Sequence, residues 1–362
     1  MRIVFDCRYT RIDRHDGISR YTAGLVTELA RLHPLIMLIS DHRQLEMLPA
    51  LPWELVTAPT SAREPLVARQ VNKLHPDVVF TPMQTMGSWR RAYRLVLTVH
   101  DLIYYRNRTP PHDLPLPIRV LWRLYHLAWW PQRMLLNRAD SVVTVSQTTR
   151  DLIKEHQLTR RPVNVVSNAA DIVAADVTVR EAPPVGGRLV YMGSFMPYKN
   201  VDTLVRALAK LPEYELHLMS RISDEERARL ISIAPAARLV FHNGASDEEY
   251  SAELVRATAL VTASLDEGFG IPLVEAMGLG TPVVVSDIPI FREIGGDAAQ
   301  FFDPQNADAL VAELRRLEQP GAWLARSTAA RAEASRFTWE ASAEHLLTVL
   351  TTTAGRTKRR KA

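Results

Sequence analysis

Two glutamates flank a glycine-rich turn in the segment DEGFGIPLVEAM. Glu267 precedes the turn, and Glu275 follows it at the start of a helix that Pro272 would open. Carboxylates can accept hydrogen bonds from sugar hydroxyls, Glu275 from a vicinal diol such as a ribose. Gly268 and Gly270 let the backbone approach a ligand closely, because neither has a side chain. Two solvated surface acids are the alternative, although the flanking ALVTAS and IPLVEAMGLGTPVVV are apolar.

The start of the same helix lacks a polar cap. If Pro272 is the first helical residue, Ile271 occupies the N-cap position, where its side chain cannot accept a bond from the first amides. The amides around Leu273 and Val274, at the positive end of the helix dipole, would then suit a phosphate. We therefore expect the turn and the helix start to bind a ligand that carries both hydroxyl and phosphate groups.

A lysine and a histidine could complete such a site. Lys199 precedes Asn200, a good N-cap residue, and a lysine there opposes the helix dipole unless an anion lies between them. A diphosphate would supply that anion, and a solvated lysine is the alternative. His100 is either a structural histidine or a donor to a ligand hydroxyl from the opposite domain.

Apolar runs of strand length alternate with segments of helical periodicity along the whole chain. This alternation predicts an α/β protein with parallel sheets covered by helices. The predicted strands are RIVFDC, LIMLI, DVVFT, RLVLTV, SVVTVS and NVVS in the first half, and RLVYMG, YELHLMS, ARLVFH, ALVTAS, PVVVSD and AAQFF in the second. The chain thus predicts two Rossmann-like, doubly wound domains.

The candidate residues follow predicted strands. Gly17 comes after the first strand, His100 after RLVLTV, Ser194 and Lys199 after RLVYMG, and Glu267 after ALVTAS. In open parallel sheets, ligands bind beyond the carboxyl ends of the strands. Because these loops come from both halves, we expect a ligand in a cleft between the two domains.

A cluster of prolines and glycines divides the halves. ADIVAADVTVREAPPVGGR contains two of each, which places a linker near residues 170–187. The N-terminal domain is therefore predicted at 1–170 and the C-terminal domain at 188–337. A chain of 362 residues is long enough for two cores.

The composition is that of an ordinary globular protein, with 47% hydrophobic and 23% charged residues. The net charge of +4 comes from the tail RTKRRKA, so residues 355–362 are predicted to be disordered and solvated, with contact to an anionic membrane as the alternative. No groove-reading pattern accompanies the tail, and no nucleic-acid partner is expected. The only cysteine, Cys7, fits a reducing compartment, and MRIVFDCRYT lacks the apolar core of a signal peptide. These features predict a cytoplasmic protein.

The segment LPIRVLWRLYHLAWWPQRMLLNRAD is rich in aromatic residues. We expect a helix that Pro131 interrupts or kinks. Two roles remain open for this helix: packing on the protein's own sheet, or contact with lipid or a lipid-linked substrate. The second is suggested because the segment combines tryptophan with arginine, namely Trp122, Trp129 and Trp130 beside Arg119, Arg123 and Arg133.

With these residues identified, nearly the whole chain resembles the retaining GT-B glycosyltransferases, and specifically the nucleotide-sugar family marked by a glutamate, seven residues and a second glutamate. Here that motif is E-GFGIPLV-E, from Glu267 to Glu275. Further similar segments are DGISRYTAGLVTEL, HDLIYY, YMGSFMPYKN, FHNGASDEEY and EGFGIPLVEAMGLGTPVVVSDIPIFREIGGDAAQFFDP. The resemblance implies a GT-B fold, in which an N-terminal acceptor-binding domain and a C-terminal nucleotide-sugar-binding domain face each other across a cleft. It also implies that a last helix, 338–354, crosses back to the N-terminal domain.

The resemblance implies a role for each candidate residue. Glu267, His100 and Lys199 are the expected catalytic residues. The expected donor-binding residues are Gly17, Ser194, Lys199, Glu267, Gly268, Phe269, Gly270, Ile271, Leu273 and Glu275. Many family members have an arginine where this chain has Ser194, and Arg221 is a candidate to replace that cation.

The activity implied is transfer of a hexose with retention of anomeric configuration, in the biosynthesis of a polysaccharide. GSFMPYKN and HDLIYY favour GDP-mannose as donor and a mannosyltransferase, with a glycan or a lipid-linked glycan as acceptor and peripheral membrane contact left open. No cofactor is expected, and no metal, because no Asp-X-Asp motif or histidine cluster is evident in the sequence.

Other functions remain open. Within the same fold, they are a transferase that uses a UDP sugar and a non-transferase enzyme, either an epimerase or a phosphorylase. A binding or regulatory protein would need neither Lys199 nor paired glutamates. A dinucleotide oxidoreductase fits less well, because no G-X-G-X-X-G follows any predicted strand.

Overall fold

The computed structural model describes residues 1–110, 116–170, 180, 182–184 and 186–355. They form two compact units. The first unit comprises Met1–Ala169 together with the C-terminal segment that begins at Thr338, and the second comprises Ala170–Phe337.

The first unit contains a parallel sheet of seven strands in the order β3-β2-β1-β4-β5-β6-β7. Its strands are β1 Ile3–Asp6, β2 Leu35–Ile39, β3 Trp53–Leu55, β4 Val78–Thr81, β5 Arg94–Val99, β6 Ser141–Thr144 and β7 Val163–Val165. Its helices before the linker are α1 Gly17–Leu32, α2 Val67–Val71, α3 Ile103–Arg106, α4 Leu116–Tyr125, α5 Trp130–Leu136 and α6 Gln147–Glu155. The central strands are rich in valine and leucine and buried on both faces, as parallel strands under helices require.

The second unit contains a parallel sheet of six strands in the order β10-β9-β8-β11-β12-β13. Its strands are β8 Gly187–Tyr191, β9 Tyr214–Leu218, β10 Arg238–Phe241, β11 Ala259–Thr262, β12 Val283–Ser286 and β13 Gln300–Phe302. Its helices are α7 Val201–Leu208, α8 Asp224–Ile233, α9 Asp247–Arg256, α10 Ile271–Gly278, α11 Pro289–Gly295, α12 Ala307–Leu317 and α13 Ala322–Ala334. The prediction of two parallel, helix-covered sheets is confirmed.

Two strands of the first sheet differ from the prediction. The edge strand β3 was not predicted, because its three side chains are all exposed and show no alternation of apolar and polar residues. The strand predicted at NVVS is shifted, since β7 pairs with β6 through Val163, Asn164 and Val165.

The last helix, α14 Trp339–Ala354, packs on α1 in the first unit. The indole of Trp339 lies over Gly24, where a β-carbon would come within 2.3 Å of the indole Cε2. The Ser342 hydroxyl donates to the carbonyl of Ser167 at 2.9 Å. The absence of a side chain on Gly24 is therefore what lets α14 approach α1 so closely.

The aromatic-rich segment forms two helices, α4 and α5. The prediction that Pro131 interrupts the helix is wrong in detail, because the break precedes it: α4 ends at Tyr125, and Pro131 lies in the first turn of α5. A proline is tolerated there because the first amides of a helix have no intrahelical partner. None of the helices in the described ranges is both long and apolar enough to cross a membrane.

Most of the linker and the basic tail lie outside the described residues. Arg180 is an exception: its guanidinium donates to the carbonyls of Val255 and Gly280 and to the Thr281 hydroxyl. Burial, together with the charge of Arg331, lowers the pKa of Arg180 to about 10. This arginine fixes one point of the linker to the second unit.

Candidate functional site

Two loops of the second unit meet at the carboxyl ends of β8 and β11. These strands are neighbours in the sheet, with Leu189 opposite Ala259 and Val190 opposite Leu260. The loops are joined by a backbone hydrogen bond in which the Leu265 amide donates to the Tyr198 carbonyl at 2.8 Å. Because parallel strands release their loops at the same edge, residues far apart in sequence are brought together here.

The meeting of these loops pairs Lys199 with Glu267. The lysine Nζ lies 2.5 Å from the glutamate Oε1, and the two side chains are only 15% and 14% exposed. The Ser264 hydroxyl donates to the same Oε1 at 2.9 Å and lies 3.1 Å from the hydroxyl of Thr262. Two polar groups therefore hold one carboxylate, and Thr262 in turn contacts one of them.

The sequence predicted a diphosphate as the anion that offsets Lys199, with a solvated lysine as the alternative. In the structure Glu267 is an anion beside the lysine, and diphosphate binding stays a prediction. Asn200 occupies the N-cap position of α7, but its side chain does not cap the helix amides. Its amide donates to the Pro304 carbonyl at 2.7 Å, and its oxygen accepts from the Thr203 hydroxyl, because φ of 51° turns the side chain away from the helix end.

The start of α10 also differs from the prediction. Gly270, not Ile271, is the N-cap residue, and Pro272 is the second residue of the helix. Gly270 has φ of 98°, which residues with a side chain rarely adopt. The Leu273 amide donates to the Gly270 carbonyl at 2.9 Å, so it is not free for a phosphate as predicted.

The apolar residues of the turn face the core. Phe269 is 4% exposed and its ring packs edge-on against Phe337, with 5.5 Å between centroids. Leu273 is 1% exposed. A ligand at this turn could therefore contact these two residues through their backbone only. Glu275 lies one turn into α10 and is partly exposed.

Ser194 lies on the exposed part of the loop after β8. Its carbonyl accepts a hydrogen bond from the Tyr191 hydroxyl at 2.7 Å. Burial, together with the charge of Glu267, raises the pKa of Tyr191, so the phenol stays protonated and keeps this bond. Arg221, in the loop after β9, packs over Gly244, where a β-carbon would come within 2.6 Å of the arginine Cγ.

The remaining predicted residues belong to the first unit. His100 follows β5, and its Nε2 lies 2.7 Å from the Pro82 carbonyl. Since a carbonyl only accepts, Nε2 carries the proton, and burial lowers the pKa of His100, so the ring is neutral and its Nδ1 is an acceptor. The sequence left open a structural histidine or a donor to a ligand hydroxyl; in this state Nδ1 can only accept from such a hydroxyl. His100 lines a pocket of about 160 Å³ together with Thr98, Tyr104 and His126.

Gly17 is the first residue of α1 and not a loop residue. The N-cap of this helix is Asp16, whose carboxylate accepts from the Ser19 amide at 2.9 Å and pairs with Arg11 at 2.8 Å. An acid thus already occupies the positive end of this helix dipole.

Several residues of the site were missed by reasoning from the sequence. Ser264, Thr262 and the Tyr198 carbonyl hold the Lys199 and Glu267 loops together. The only sequence signal for these contacts is that Ser264 lies three residues before Glu267, and a serine at this spacing is too common to be informative. The contact of Tyr198 with Leu265 depends on the sheet order and has no local signature.

A second surface feature lies on α4 and α5. Eight of the eighteen exposed large apolar side chains among the described residues fall here: Leu116, Ile118, Val120, Leu121, Leu124, Leu127, Trp130 and Met134. Residues 116–139, from the start of α4, carry four arginines and no acid. Trp129 is instead packed internally, stacked on Tyr105 with 3.9 Å between ring centroids. We call these eight residues the apolar face.

Comparisons with known proteins agree with this architecture. Residues 182–333 match the family model Glycosyl transferases group 1, and residues 15–173 match Glycosyltransferase Family 4. The chain is 23% identical over 317 residues to the O-antigen chain mannosyltransferase RfbU of Salmonella typhimurium, covering 84% of this chain and 87% of that one. It is 26% identical over 322 residues to GDP-mannose:cellobiosyl-diphosphopolyprenol alpha-mannosyltransferase of Xanthomonas campestris, covering 79% and 84%.

A solved structure shares the fold. Anabaena Alr3699/HepE in complex with UDP-glucose superposes with a TM-score of 0.71 at 18% identity, covering 97% of this chain and 100% of that one. The likeness identifies the fold of this chain as GT-B.

Proposed function

We propose that this chain, which has the GT-B fold and matches the group 1 glycosyltransferase model at residues 182–333, transfers mannose from GDP-mannose, with retention of configuration, to a hydroxyl of a glycan or lipid-linked acceptor. The proposal depends above all on the contact of Lys199 with Glu267 at the ends of β8 and β11. The names of two relatives specify mannosyl transfer, and one also names GDP-mannose and a diphosphopolyprenol acceptor.

Lys199 would bind the diphosphate. A carboxylate beside a diphosphate is repelled unless a cation offsets the charge. Lys199 pairs with the Glu267 carboxylate and follows the exposed Ser194 in the connection after β8. As the bond from the sugar to the phosphate breaks, negative charge grows on the leaving phosphate. A cation already in position stabilises that charge without reorganisation.

Glu267 would orient the donor sugar. Its Oε1 already accepts from Lys199 and Ser264, so the carboxylate is held in place before the sugar hydroxyls reach it. Glu275 would bind the ribose, and the backbone of Gly268 to Gly270 would line the sugar. His100, with Nδ1 as acceptor, would receive a bond from a donor-sugar hydroxyl. Positioning of this kind lowers the barrier by fixing the reacting groups beforehand.

The proposed transfer step accounts for every bond and proton without a metal. The acceptor oxygen forms a bond to the anomeric carbon on the face that the leaving phosphate vacates, and the carbon–phosphate-oxygen bond breaks. The acceptor proton passes to the leaving phosphate. Lys199 is the proposed cation at this step, in place of a metal.

The apolar face supports a membrane location for the acceptor. We propose that these side chains enter the cytoplasmic surface of an anionic bilayer, where the neighbouring arginines, such as Arg123, meet the lipid headgroups. A peripheral cytoplasmic enzyme would thereby reach a lipid-linked acceptor.

A panel of nucleotides and nucleotide sugars, measured by thermal shift on wild type and Glu275→Ala, tests the proposed donor. A ligand present at ~100 times its dissociation constant should stabilise the folded protein by about 2.7 kcal/mol. We expect GDP-mannose to stabilise wild type and the shift to shrink in Glu275→Ala. If only a UDP sugar stabilises the protein, the donor is that UDP sugar and not GDP-mannose. If no nucleotide sugar stabilises it, the proposal is contradicted.

A further inference from the structure

Two histidines and a glutamate come together in the second unit, away from the loops described above. His217 lies on β9, His242 follows β10, and Glu253 lies on α9. One ligand atom from each lies within 4.8 Å of the others. In the sheet, β9 and β10 lie on the opposite side of β8 from β11, which leads to Glu267.

The fold explains why these residues meet. In the register of β9 and β10, His217 is opposite Val240. Because side chains alternate along a strand, His242, two residues after Val240, faces the same side of the sheet as His217. Glu215, two residues before His217, shares that face for the same reason. Helix α9 begins five residues after His242 and supplies Glu253.

The outer nitrogen of each ring contacts a carboxylate. His217 Nε2 lies 3.0 Å from Glu215 Oε1, and His242 Nδ1 lies 2.7 Å from Glu249 Oε1. An ionised carboxylate only accepts hydrogen bonds, so each of these nitrogens carries a proton.

With both rings neutral, the inner nitrogens face each other as two lone pairs. His217 Nδ1 and His242 Nε2 are 3.0 Å apart, and Glu253 Oε2 lies 3.3 Å from His217 Nδ1. Two ring lone pairs at this distance repel each other unless a cation or a proton lies between them, and the Glu253 carboxylate adds a third acceptor beside them. We propose that this cluster binds a transition-metal dication of the zinc class through His217, His242 and Glu253.

The chemistry of the cluster fits such an ion. Two imidazoles and a carboxylate are a known ligand set for zinc, with a water in the fourth position. Zinc–nitrogen bonds of ~2.0–2.1 Å in a tetrahedron need the ring nitrogens about 3.4 Å apart, so the pair must open by only a few tenths of an ångström. Glu215 and Glu249 fix the two rings from behind, an arrangement typical of ligating histidines.

The neighbouring charges orient the carboxylates. Arg188 donates to Glu253 Oε2 at 2.8 Å and lies 3.3 Å from Glu215 Oε1. The His217 and Glu253 side chains are largely buried, whereas Glu249 is half exposed. A bound ion would link the edge strand β10 to β9 and α9, which is a structural role separate from transfer.

Metal titration of protein made without a histidine tag and freed of metal by a chelator tests this site. Calorimetry with Zn²⁺ should give one ion per wild-type chain, and Co²⁺ should give the visible absorption of a tetrahedral site. We expect His217→Ala and His242→Ala each to weaken binding by more than ~100-fold, and Glu249→Gln by ~10–100-fold, because it only orients His242.

The matched control is His345→Ala, which removes an exposed histidine from α14 and should leave the affinity unchanged. Circular dichroism establishes that each variant is folded, and Glu249→Gln, at a half-exposed position, remains informative if a histidine variant is not. A wild type that binds no stoichiometric ion, with the rings sharing a proton instead, would overturn the proposal, as would equal binding by all variants. Nucleotide-sugar binding by the metal-free protein is a separate readout, so failure here leaves the proposed transfer untouched.

Discussion

Lys199 and Glu267 form an ion pair with 2.5 Å between Nζ and Oε1, although 68 residues separate them in the chain. The Leu265–Tyr198 backbone bond holds their loops together. In the proposed transfer, this lysine would offset the charge of both the Glu267 carboxylate and the diphosphate of the donor.

Replacement of Lys199 by methionine should lower the rate of transfer by ~10²–10³-fold, since a charge that stabilises the leaving phosphate is lost. Initial rates with the identified donor measure this. Lys210→Met is the matched control, because Lys210 also pairs with an acid, Asp308, but on the exposed surface. Equal rates in the two variants would exclude the proposed role of Lys199.

Gly270→Ala should destabilise the protein by more than the ~1–2 kcal/mol that a left-handed backbone costs a residue with a side chain. The new β-carbon would also come within 3.0 Å of Phe291. Gly321→Ala isolates the backbone effect, because Gly321 has φ of 77° and no atom within 4 Å of the added carbon. Urea unfolding of both variants gives the two free energies of unfolding, and a Gly270 value no larger than that of Gly321 would contradict the structure.

Gly24→Ala should destabilise the first unit by roughly 1–3 kcal/mol, because the added methyl overlaps the Trp339 indole. The double variant Gly24→Ala with Trp339→Leu should lose less than the sum of the single variants, since the smaller side chain makes room. Thermal unfolding of the four proteins completes the cycle. Additive losses would mean that α1 and α14 do not meet at these residues.

Asp140 should contribute to stability in a pH-dependent way. Burial alone would raise the pKa of this carboxyl, but the hydrogen bond from the Leu95 amide and the charges of Arg91 and Arg94 outweigh it and lower the pKa below 3.8. A lowered carboxyl pKa gives stability that is present above about pH 4 and is lost as pH falls through the folded-state value.

Asp140→Asn should therefore be less stable than wild type at pH 7, by about 1–3 kcal/mol, because its charged hydrogen bonds are lost. The difference should narrow below pH 4. Denaturant unfolding between pH 2.5 and 7 measures it, and a difference that stays constant with pH would exclude this account.

The apolar face should direct binding to anionic vesicles. We expect wild type to sediment with vesicles that contain phosphatidylglycerol and much less with neutral phosphatidylcholine. Leu121→Gln with Leu124→Gln should weaken binding at least tenfold, because two exposed leucines no longer enter the bilayer. Leu324→Gln, at an exposed leucine of the second unit, should have no effect, and equal binding by all three proteins would contradict the proposal.

The sequence by itself determined the fold class, most of the strands and most of the loops that carry the candidate residues. These features are local, because buried parallel strands require runs such as VVF and VVVS, and the polar loops follow directly from the strand ends. The sequence also indicated the need for glycine in the turn before α10. In the structure, Gly270 adopts a backbone conformation that a side chain would disfavour.

The tertiary structure decided which groups meet. The partner of Lys199, the proton on His100 Nε2 and the facing nitrogens of His217 and His242 depend on sheet order and register, which bring together residues between 18 and 68 positions apart. Trp339 packs against Gly24 for the same reason. The periodicity of apolar residues indicates which face of a helix or strand is buried. It does not indicate which atoms pack against that face, because those atoms come from elements distant in the sequence. The chemistry of these contacts is therefore decided only when the chain folds.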